Sequence, residues 1–222
     1  MPRTGTSRAA VALTVLLLLV ACLAAAVRSS TGPVPAGTRS AASTVLYRES
    51  FADDVAGGVP SDWEMEGGTW RGMASGTGAH VLAHVEGPSA GGTIVAGSAS
   101  WADYEIGADV KPSASRDGEV GVVGRYQTEG DYYECAIHHA YSVQLWRDRG
   151  GHEMELGGRM TTIDTTRFHR LTLSMHGGRI TCAMDGRVAA SVVDRSLRVG
   201  RFGLTAGDDE AAEFRDVVVT GD

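Results

Sequence analysis

Lysine, aromatic residues and cysteine are all scarce in this sequence of 222 residues. Of the 20 Lys and Arg residues only Lys111 is a lysine, and 27 Asp and Glu residues leave a formal net charge of -7, which argues against a nucleic-acid partner. Aromatic residues make up 6%, and there are three cysteines. A chain of this length can bury about 70% of its unfolded surface, so it needs no disulfide framework to fold. With 43% hydrophobic residues, it is too apolar to be disordered.

Helical periodicity is also missing after Thr44, where apolar and polar residues alternate in short segments. Roughly fourteen such segments are separated by turn residues, which predicts an all-β fold, a two-sheet antiparallel jelly-roll sandwich. Much of the glycine content, 30 residues, belongs to these turns. Gly177-Gly178 and Asp185-Gly186 supply the positive φ angles of hairpin turns and predict a three-stranded meander around them.

The long apolar run lies at the N-terminus. Residues Ala9 to Val27 carry no charge and follow Arg3 and Arg8. A basic start followed by an apolar run is typical of a secretory signal, and this run is also long enough to span a bilayer. Residues 1–27 are therefore predicted to be a hydrophobic helix that acts as a signal peptide, a lipoprotein signal or a membrane anchor. Residues 28–43, small and polar with Pro and Gly, are predicted to be a flexible linker to a folded domain at 44–222.

The segment Leu19-Val20-Ala21-Cys22 resembles the bacterial lipobox, which implies lipidation of Cys22. Two alternatives remain open: an uncleaved anchor, or ordinary cleavage near Ala24-Ala25-Ala26 that would release a secreted protein. The first two fates tether the domain to the extracytoplasmic face of the cell membrane, and all three place it outside the cytoplasm.

Alternation also predicts which side chains point away from the core. In the segments Glu119–Tyr126, Tyr132–His138 and Ser142–Arg147, one set of positions is apolar and the other is not. The outward positions are predicted to share one face, because consecutive strands joined by short turns are usually neighbours. They are Arg125, Tyr132, Glu134, His138, Gln144 and Trp146. An aromatic plane beside planar polar groups is the composition of a carbohydrate site. The alternative is a partly solvated face on which Trp146 only covers its neighbours.

A set of short segments occurs in the order found in a known superfamily. The segments include Phe51-Ala-Asp-Asp54, Pro60-Ser-Asp-Trp63, Gly68-Thr-Trp70, Trp101-Ala-Asp-Tyr104, Gly121-Val-Val-Gly-Arg125-Tyr126 and Gly200-Arg-Phe-Gly203-Leu204. The chain resembles the concanavalin A-like lectin/glucanase superfamily, near the branch of secreted sugar-binding modules and the 3-keto-disaccharide hydrolase domain. The resemblance implies a curved jelly roll with one concave, glycan-binding face, in which Trp63, Trp70 and Trp101 pack in or around the core.

Many members of that superfamily hold a structural calcium ion where the first and last strands meet. The residues that could converge there in this chain are Glu49, Asp53, Asp54 and Asp216, whose oxygen ligands suit a hard cation. The alternative is that Asp53-Asp54 caps a turn and Asp216 is exposed. No other cofactor is expected. Cys135 and Cys182, the two cysteines of the domain, either form a disulfide or remain buried thiols.

No catalytic motif is evident. Glucanases of the superfamily carry a strand with the pattern Glu-x-Asp-x-Glu or a variant of it, whereas Glu153 and Glu155 alternate here as a pair of two carboxyl groups. The expected function is therefore a membrane-tethered extracytoplasmic domain that binds a glycan without catalysis. One alternative is a glycoside-processing hydrolase, which a groove containing acidic and histidine side chains with a shifted carboxyl pKa would favour. The other is a structural or adhesion domain that binds a protein through an exposed apolar patch.

Overall fold

The computed structural model describes residues 43–52, 57–76, 78–85, 91–112, 118–208 and 211–221. The described residues form fifteen strands. In chain order these are β1 (Thr44–Glu49), β2 (Glu64–Met65), β3 (Trp70–Ala74), β4 (His80–His84), β5 (Gly92–Ala96), β6 (Tyr104–Pro112), β7 (Glu119–Thr128), β8 (Asp131–His138), β9 (Ser142–Arg149), β10 (Glu153–Met160), β11 (His169–His176), β12 (Arg179–Met184), β13 (Arg187–Val193), β14 (Arg201–Ala206) and β15 (Ala212–Gly221). None of the described residues belongs to a helix long and apolar enough to cross a membrane. The predicted N-terminal helix and Cys22 lie outside the described residues.

The strands form two antiparallel sheets that pack face to face. The eight-stranded sheet has the order β13-β12-β11-β6-β15-β4-β3, and β1 also pairs with β15. The seven-stranded sheet has the order β10-β9-β8-β7-β14-β5-β2. This architecture confirms the predicted all-β sandwich. The meander β11-β12-β13 and the adjacency of β7, β8 and β9 are also as predicted.

Two strands differ from the sequence prediction. Strand β2 has only two residues, too few to show alternation. Strand β10 extends to Met160, well past the predicted end at Leu156, because Gly157 and Gly158 interrupt the alternating pattern without ending the strand.

A single hydrophobic core lies between the sheets and receives side chains from both. Trp63 and Trp70 are buried in it, and Trp101 packs against it and stacks on Phe202 with ring centroids 5.9 Å apart. These positions confirm the packing roles expected for the three tryptophans.

A disulfide bond crosses the core. Cys135 of β8 and Cys182 of β12 are bonded, with their Cα atoms 5.2 Å apart. Because β8 and β12 belong to different sheets, the bond ties one sheet to the other. Of the two alternatives left open by the sequence, the structure has the disulfide.

The two ends of the described domain lie side by side. Strand β1 pairs with β15, and Thr44 is in register with Gly221. Paired residues of antiparallel strands have Cα atoms about 5 Å apart. Both ends therefore belong to the eight-stranded sheet.

A β-bulge interrupts β7 at Arg125, whose φ angle is 48°. Arg201 of β14 is in register with Tyr126, whereas Gly203 is in register with Val123, so β7 contains one extra residue here. A bulge reverses the alternation of the residues that follow it. As a result, the Arg125 side chain points inward.

Candidate functional site

A groove of about 490 Å³ lies on the face of the seven-stranded sheet that points away from the core. The strand residues that line it are Gly92, Thr93, Glu119, Tyr132, Glu134, His138, Trp146, Asp148, Glu153, Thr205 and Ala206. Connecting segments complete the rim with Glu66, Gly67, Gly68, Gly91, Glu129, Gly207 and Asp208. The groove therefore crosses the middle of the sheet, from β10 to β5.

Four of the six residues predicted to form the binding face line this groove: Tyr132, Glu134, His138 and Trp146. Gln144 lies beside them and supports Trp146, because its Oε1 accepts a hydrogen bond of 3.1 Å from the indole Nε1. The structure thus brings these five side chains together, and their role in binding a ligand stays a prediction.

Arg125 is not part of the face, and its predicted outward position is wrong. Its side chain is 1% exposed because the bulge turns it into the core. The guanidinium donates to the carbonyl oxygens of Ala102, Gly177 and Leu197 at 2.9 to 3.0 Å and lies 3.3 Å from the carboxylate of Asp103. Arg125 therefore joins three connecting segments and has a structural role.

Trp146 provides the aromatic surface of the groove. It is in register with Glu134 on β8, and its ring lies 5.5 Å from that of His138 at an interplanar angle of 32°. The indole is partly exposed, and the hydrogen bond to Gln144 fixes its orientation. A fixed, partly exposed aromatic plane can stack on an apolar ring face of a ligand.

Two carboxyl groups meet beside Trp146. Glu134 is 7% exposed, and burial, together with the adjacent Glu119 carboxyl, raises the pKa of Glu134 well above its usual range. The raised pKa favours the protonated, neutral form of Glu134. His138 Nε2 lies 2.9 Å from Glu119 Oε1, a close contact without hydrogen-bond alignment. The groove thus contains a buried carboxyl group with a raised pKa, close to a second carboxyl group that contacts an imidazole.

Gly121 makes room for this pair. It lies between Glu119 and Val123 on β7, opposite Ala136. A Cβ at Gly121 would lie 2.8 Å from the Cβ of Ala136 and 3.0 Å from Oε1 of Glu134. Real Cβ atoms rarely approach so closely, so a side chain here would displace the Glu134 carboxyl.

Several groove residues were not predicted from the sequence, among them Glu119 and Asp148. Glu119 opens β7 directly opposite His138, and its outward position would have followed from the same alternation that placed Val120 and Val122 in the core. Asp148 follows Trp146 by two residues and lies on the same face, but the predicted strand ended at Arg147. Burial raises the pKa of Asp148, although hydrogen bonds from backbone N–H groups oppose the shift.

The described residues do not assemble the calcium site expected at the first and last strands. Glu49 Oε1 accepts a hydrogen bond of 2.7 Å from the backbone N–H of Phe51, and the Asp216 side chain is 57% exposed beside Arg215. Within the ranges that the model describes, no group of three or more His, Cys, Asp or Glu side chains could hold a metal ion. Asp53 and Asp54 lie outside the described residues.

Solved structures with the same fold include several proteins named for carbohydrate binding. A carbohydrate binding module, CBM66, from Bacillus subtilis has a TM-score of 0.60 and 21% identity over 70% of this chain and 93% of that chain. A protein of unknown function with a galectin-like fold, also from Bacillus subtilis, has a TM-score of 0.60 and 17% identity over 80% of this chain and 97% of that chain.

The exoplasmic/lumenal domain of VIP36, solved in a Ca²⁺/Man-bound form, has a TM-score of 0.54 and 12% identity over 71% of this chain and 82% of that chain. No protein-family model and no curated protein matches the sequence. Because the sequence identities are low, the structural similarity establishes the fold alone. The chain has the concanavalin A-like jelly-roll fold that the order of its sequence segments implied.

Proposed function

We propose that the groove binds a carbohydrate chain and that Trp146 is its stacking surface. The observation behind this proposal is the position of Trp146, a partly exposed indole held by Gln144 and bordered by hydrogen-bonding side chains in an open groove. An aromatic plane can cover the apolar face of a sugar ring, while carboxylates and imidazoles accept or donate hydrogen bonds to its hydroxyl groups. The proteins of the same fold that are named for carbohydrate binding support this assignment.

A glycan-array screen tests the proposal, with the full chain kept in non-ionic detergent. We expect binding to at least one glycan. The affinity should fall about tenfold or more in Trp146→Ala and change little in Trp146→Phe, because phenylalanine retains an aromatic plane. Tyr141→Ala is the matched control, since Tyr141 is 50% exposed and lies outside the groove lining. Binding that is indifferent to Trp146, or no binding to any glycan, would contradict the proposal.

A second candidate is glycoside hydrolysis, because the groove contains an acidic pair with a raised carboxyl pKa beside His138. A protonated Glu134 could donate its proton to a glycosidic oxygen as a general acid. However, hydrolysis with two carboxyl groups needs them about 5 Å or more apart, on either side of the scissile bond. The Glu119 carboxyl lies close to that of Glu134 on the neighbouring strand, which is a poor match to this requirement. Binding without catalysis is therefore the better-supported function.

Product analysis separates these two candidates. Any glycan found to bind would be incubated with the full chain, and new reducing ends would be measured over time. We expect none with either the native protein or Glu134→Gln. Reducing ends that accumulate with the native protein and disappear with Glu134→Gln would establish the hydrolase instead.

Adhesion through an apolar surface has little support in the described part of the chain. The exposed large hydrophobic side chains there, such as Met160 and Val193, do not line the groove.

Tethering to the membrane is a separate proposal that depends on the sequence of residues 1–27. Lipidation of Cys22 would place the domain on the extracytoplasmic face of the cell membrane. Mass spectrometry of the mature protein is the test, and we expect a diacylglycerol-modified Cys22 at the new N-terminus. An unmodified Cys22 within an intact chain would support the uncleaved anchor.

A structural calcium ion is likewise a proposal, and it depends on Asp53 and Asp54 joining Glu49 or Asp216. If calcium is present, EDTA should lower the melting temperature, and added Ca²⁺ should restore it. A melting temperature unchanged by EDTA would contradict it.

A further inference from the structure

We propose that the groove selects a positively charged saccharide, a chain of amino sugars with free ammonium groups, over neutral and anionic ones. This inference rests on the proposed function and names the class of glycan.

The charge of the groove is strongly one-sided. Seven carboxyl groups line it: Glu66, Glu119, Glu129, Glu134, Asp148, Glu153 and Asp208. No Lys or Arg is among the described residues of the lining, and its one basic side chain is His138. A groove of this composition concentrates cations and repels anions.

Only part of this negative charge is compensated within the described structure. Glu66 pairs with Arg201 at 2.9 Å, Glu119 lies 2.9 Å from His138 Nε2, and the raised pKa of Glu134 favours its neutral form. The remaining four carboxylates, Glu129, Asp148, Glu153 and Asp208, form no ion pair with any described residue. Among the described residues, no Lys or Arg side chain neutralises these four carboxylates.

Asp148 gives an independent indication of a missing partner. Its side chain lines the groove, the residue is 6% exposed, and its Oδ1 has no hydrogen-bond donor in the described structure. A buried carboxylate oxygen without a donor is costly, and a donor supplied by a ligand would remove that cost. An ammonium group offers three N–H donors and a compensating charge.

Other cations fit this groove less well. A metal ion needs several ligands converging on one point, and no such group of three occurs among the described residues. A simple polyamine would leave the indole of Trp146 without a ring to stack on. An amino sugar combines an apolar ring face for Trp146 with an ammonium group for the carboxylates. Saccharides with carboxylate, sulfate or phosphate groups would be repelled.

The experiment compares three hexasaccharides of the same linkage and length by calorimetry: the β-1,4 glucosamine hexamer, its fully N-acetylated form and the β-1,4 glucose hexamer. The full chain is used in non-ionic detergent, at a pH where the amines are protonated. We expect the glucosamine hexamer to bind at least about tenfold more tightly than the other two, with the preference shrinking as salt is added.

Two variants localise the effect. Glu153→Gln removes an exposed carboxylate of the groove and should reduce the preference severalfold without affecting folding. Glu105→Gln makes the same chemical change on β6 of the other sheet and should leave the preference unchanged. A preference equally lowered by both variants would overturn the assignment to the groove.

The outcomes separate this inference from the proposed function. Equal binding of all three hexamers, lost in Trp146→Ala, would overturn the charge selection and leave carbohydrate binding intact. Binding of none of the three, with a glycan array that is also negative, would overturn both. Spermine binding as tight as that of the glucosamine hexamer, and retained in Trp146→Ala, would overturn the assignment of a saccharide.

Discussion

At the scale of the residue, Glu134 has the most unusual chemistry in the described structure. It is a nearly buried carboxyl group with a raised pKa, in register with Trp146 and close to the carboxyl group of Glu119. A carboxyl group in this environment is kept neutral by its surroundings and can donate a hydrogen bond as well as accept one. The neutral Glu134 carboxyl can therefore donate a hydrogen bond to a sugar oxygen, whereas an ionised carboxylate at this position could only accept one.

Glu134 should make the stability of the protein depend on pH. Its pKa is about 4.5 in the unfolded chain and well above that in the folded protein, because of burial and the neighbouring Glu119. Between the two pKa values, the folded protein keeps the proton on Glu134 whereas the unfolded chain releases it. The free energy of unfolding therefore falls as the pH rises from the pKa of the unfolded state through that of the folded state. We expect Glu134→Gln to be more stable than the native protein near about pH 8, and the difference to shrink toward about pH 4.

Urea denaturation across this pH range is the measurement. Glu105→Gln is the matched control, because it makes the same chemical change on β6 of the other sheet, away from the groove. A native protein that remains as stable as Glu134→Gln at every pH would contradict the raised pKa.

Arg125 shows how a single residue can make a pattern-based prediction fail. Alternation placed it on the groove face because Val120 and Val122 face the core, and the reasoning is sound up to Val123. The positive φ of Arg125 and the bulge that contains it have no signature in the alternation itself. The one sequence feature that agrees with a buried Arg125 is its place within a run of apolar residues.

Replacement of Arg125 by methionine should destabilise the protein by about 3–5 kcal/mol, because three carbonyl groups lose their donor and Asp103 loses its ion pair. Urea denaturation measures the change. Arg187→Met, at an exposed arginine, should change stability by less than about 0.5 kcal/mol. Similar effects of the two substitutions would contradict the structural role of Arg125.

At the scale of the element, β8 connects the groove to the core. Glu134 and His138 point into the groove, while Cys135 points the other way and is bonded to β12 of the opposite sheet. The sequence was sufficient to predict this two-sidedness and the adjacency of β7, β8 and β9, because alternation and short turns are local features. The partner of Cys135 was left open, since pairing across a sandwich depends on which strands face each other between the sheets.

Loss of the disulfide should lower the free energy of unfolding by about 4 kcal/mol, given a closed loop of 47 residues. The double variant Cys135→Ala, Cys182→Ala can be compared with the native protein by thermal denaturation, with and without a reducing agent. The reductant should destabilise only the native protein. A native protein that is unaffected by complete reduction would contradict this prediction.

At the scale of the whole molecule, the two sheets share one hydrophobic core. Neither sheet has an apolar face that could stay buried if the other were to unfold, so the described domain should unfold in one cooperative step. We expect calorimetric and van't Hoff enthalpies to agree in a scan of the full chain. Two resolved transitions within the β-sandwich would show that the sheets unfold separately.

The fold was more predictable than the groove for a physical reason. Turn glycines and alternating strands specify a sandwich through many weak, local preferences that add together. The groove depends on rim segments distant in sequence, such as Gly67-Gly68 and Gly207-Asp208, which meet only after the sheets have formed. Four of its members were found because they occupy one face of adjacent strands, whereas its strong negative charge emerged only from the assembled site.

The pairing of Thr44 with Gly221 makes this domain convenient to engineer. The two ends meet on the eight-stranded sheet, whereas the groove lies on the outer face of the seven-stranded one. A short loop that joins 221 to 44 could thus close the chain for circular permutation, and a host protein could receive the domain as an insertion with closely spaced junctions. Immobilised on a resin through either end, the domain would present its groove to the solution.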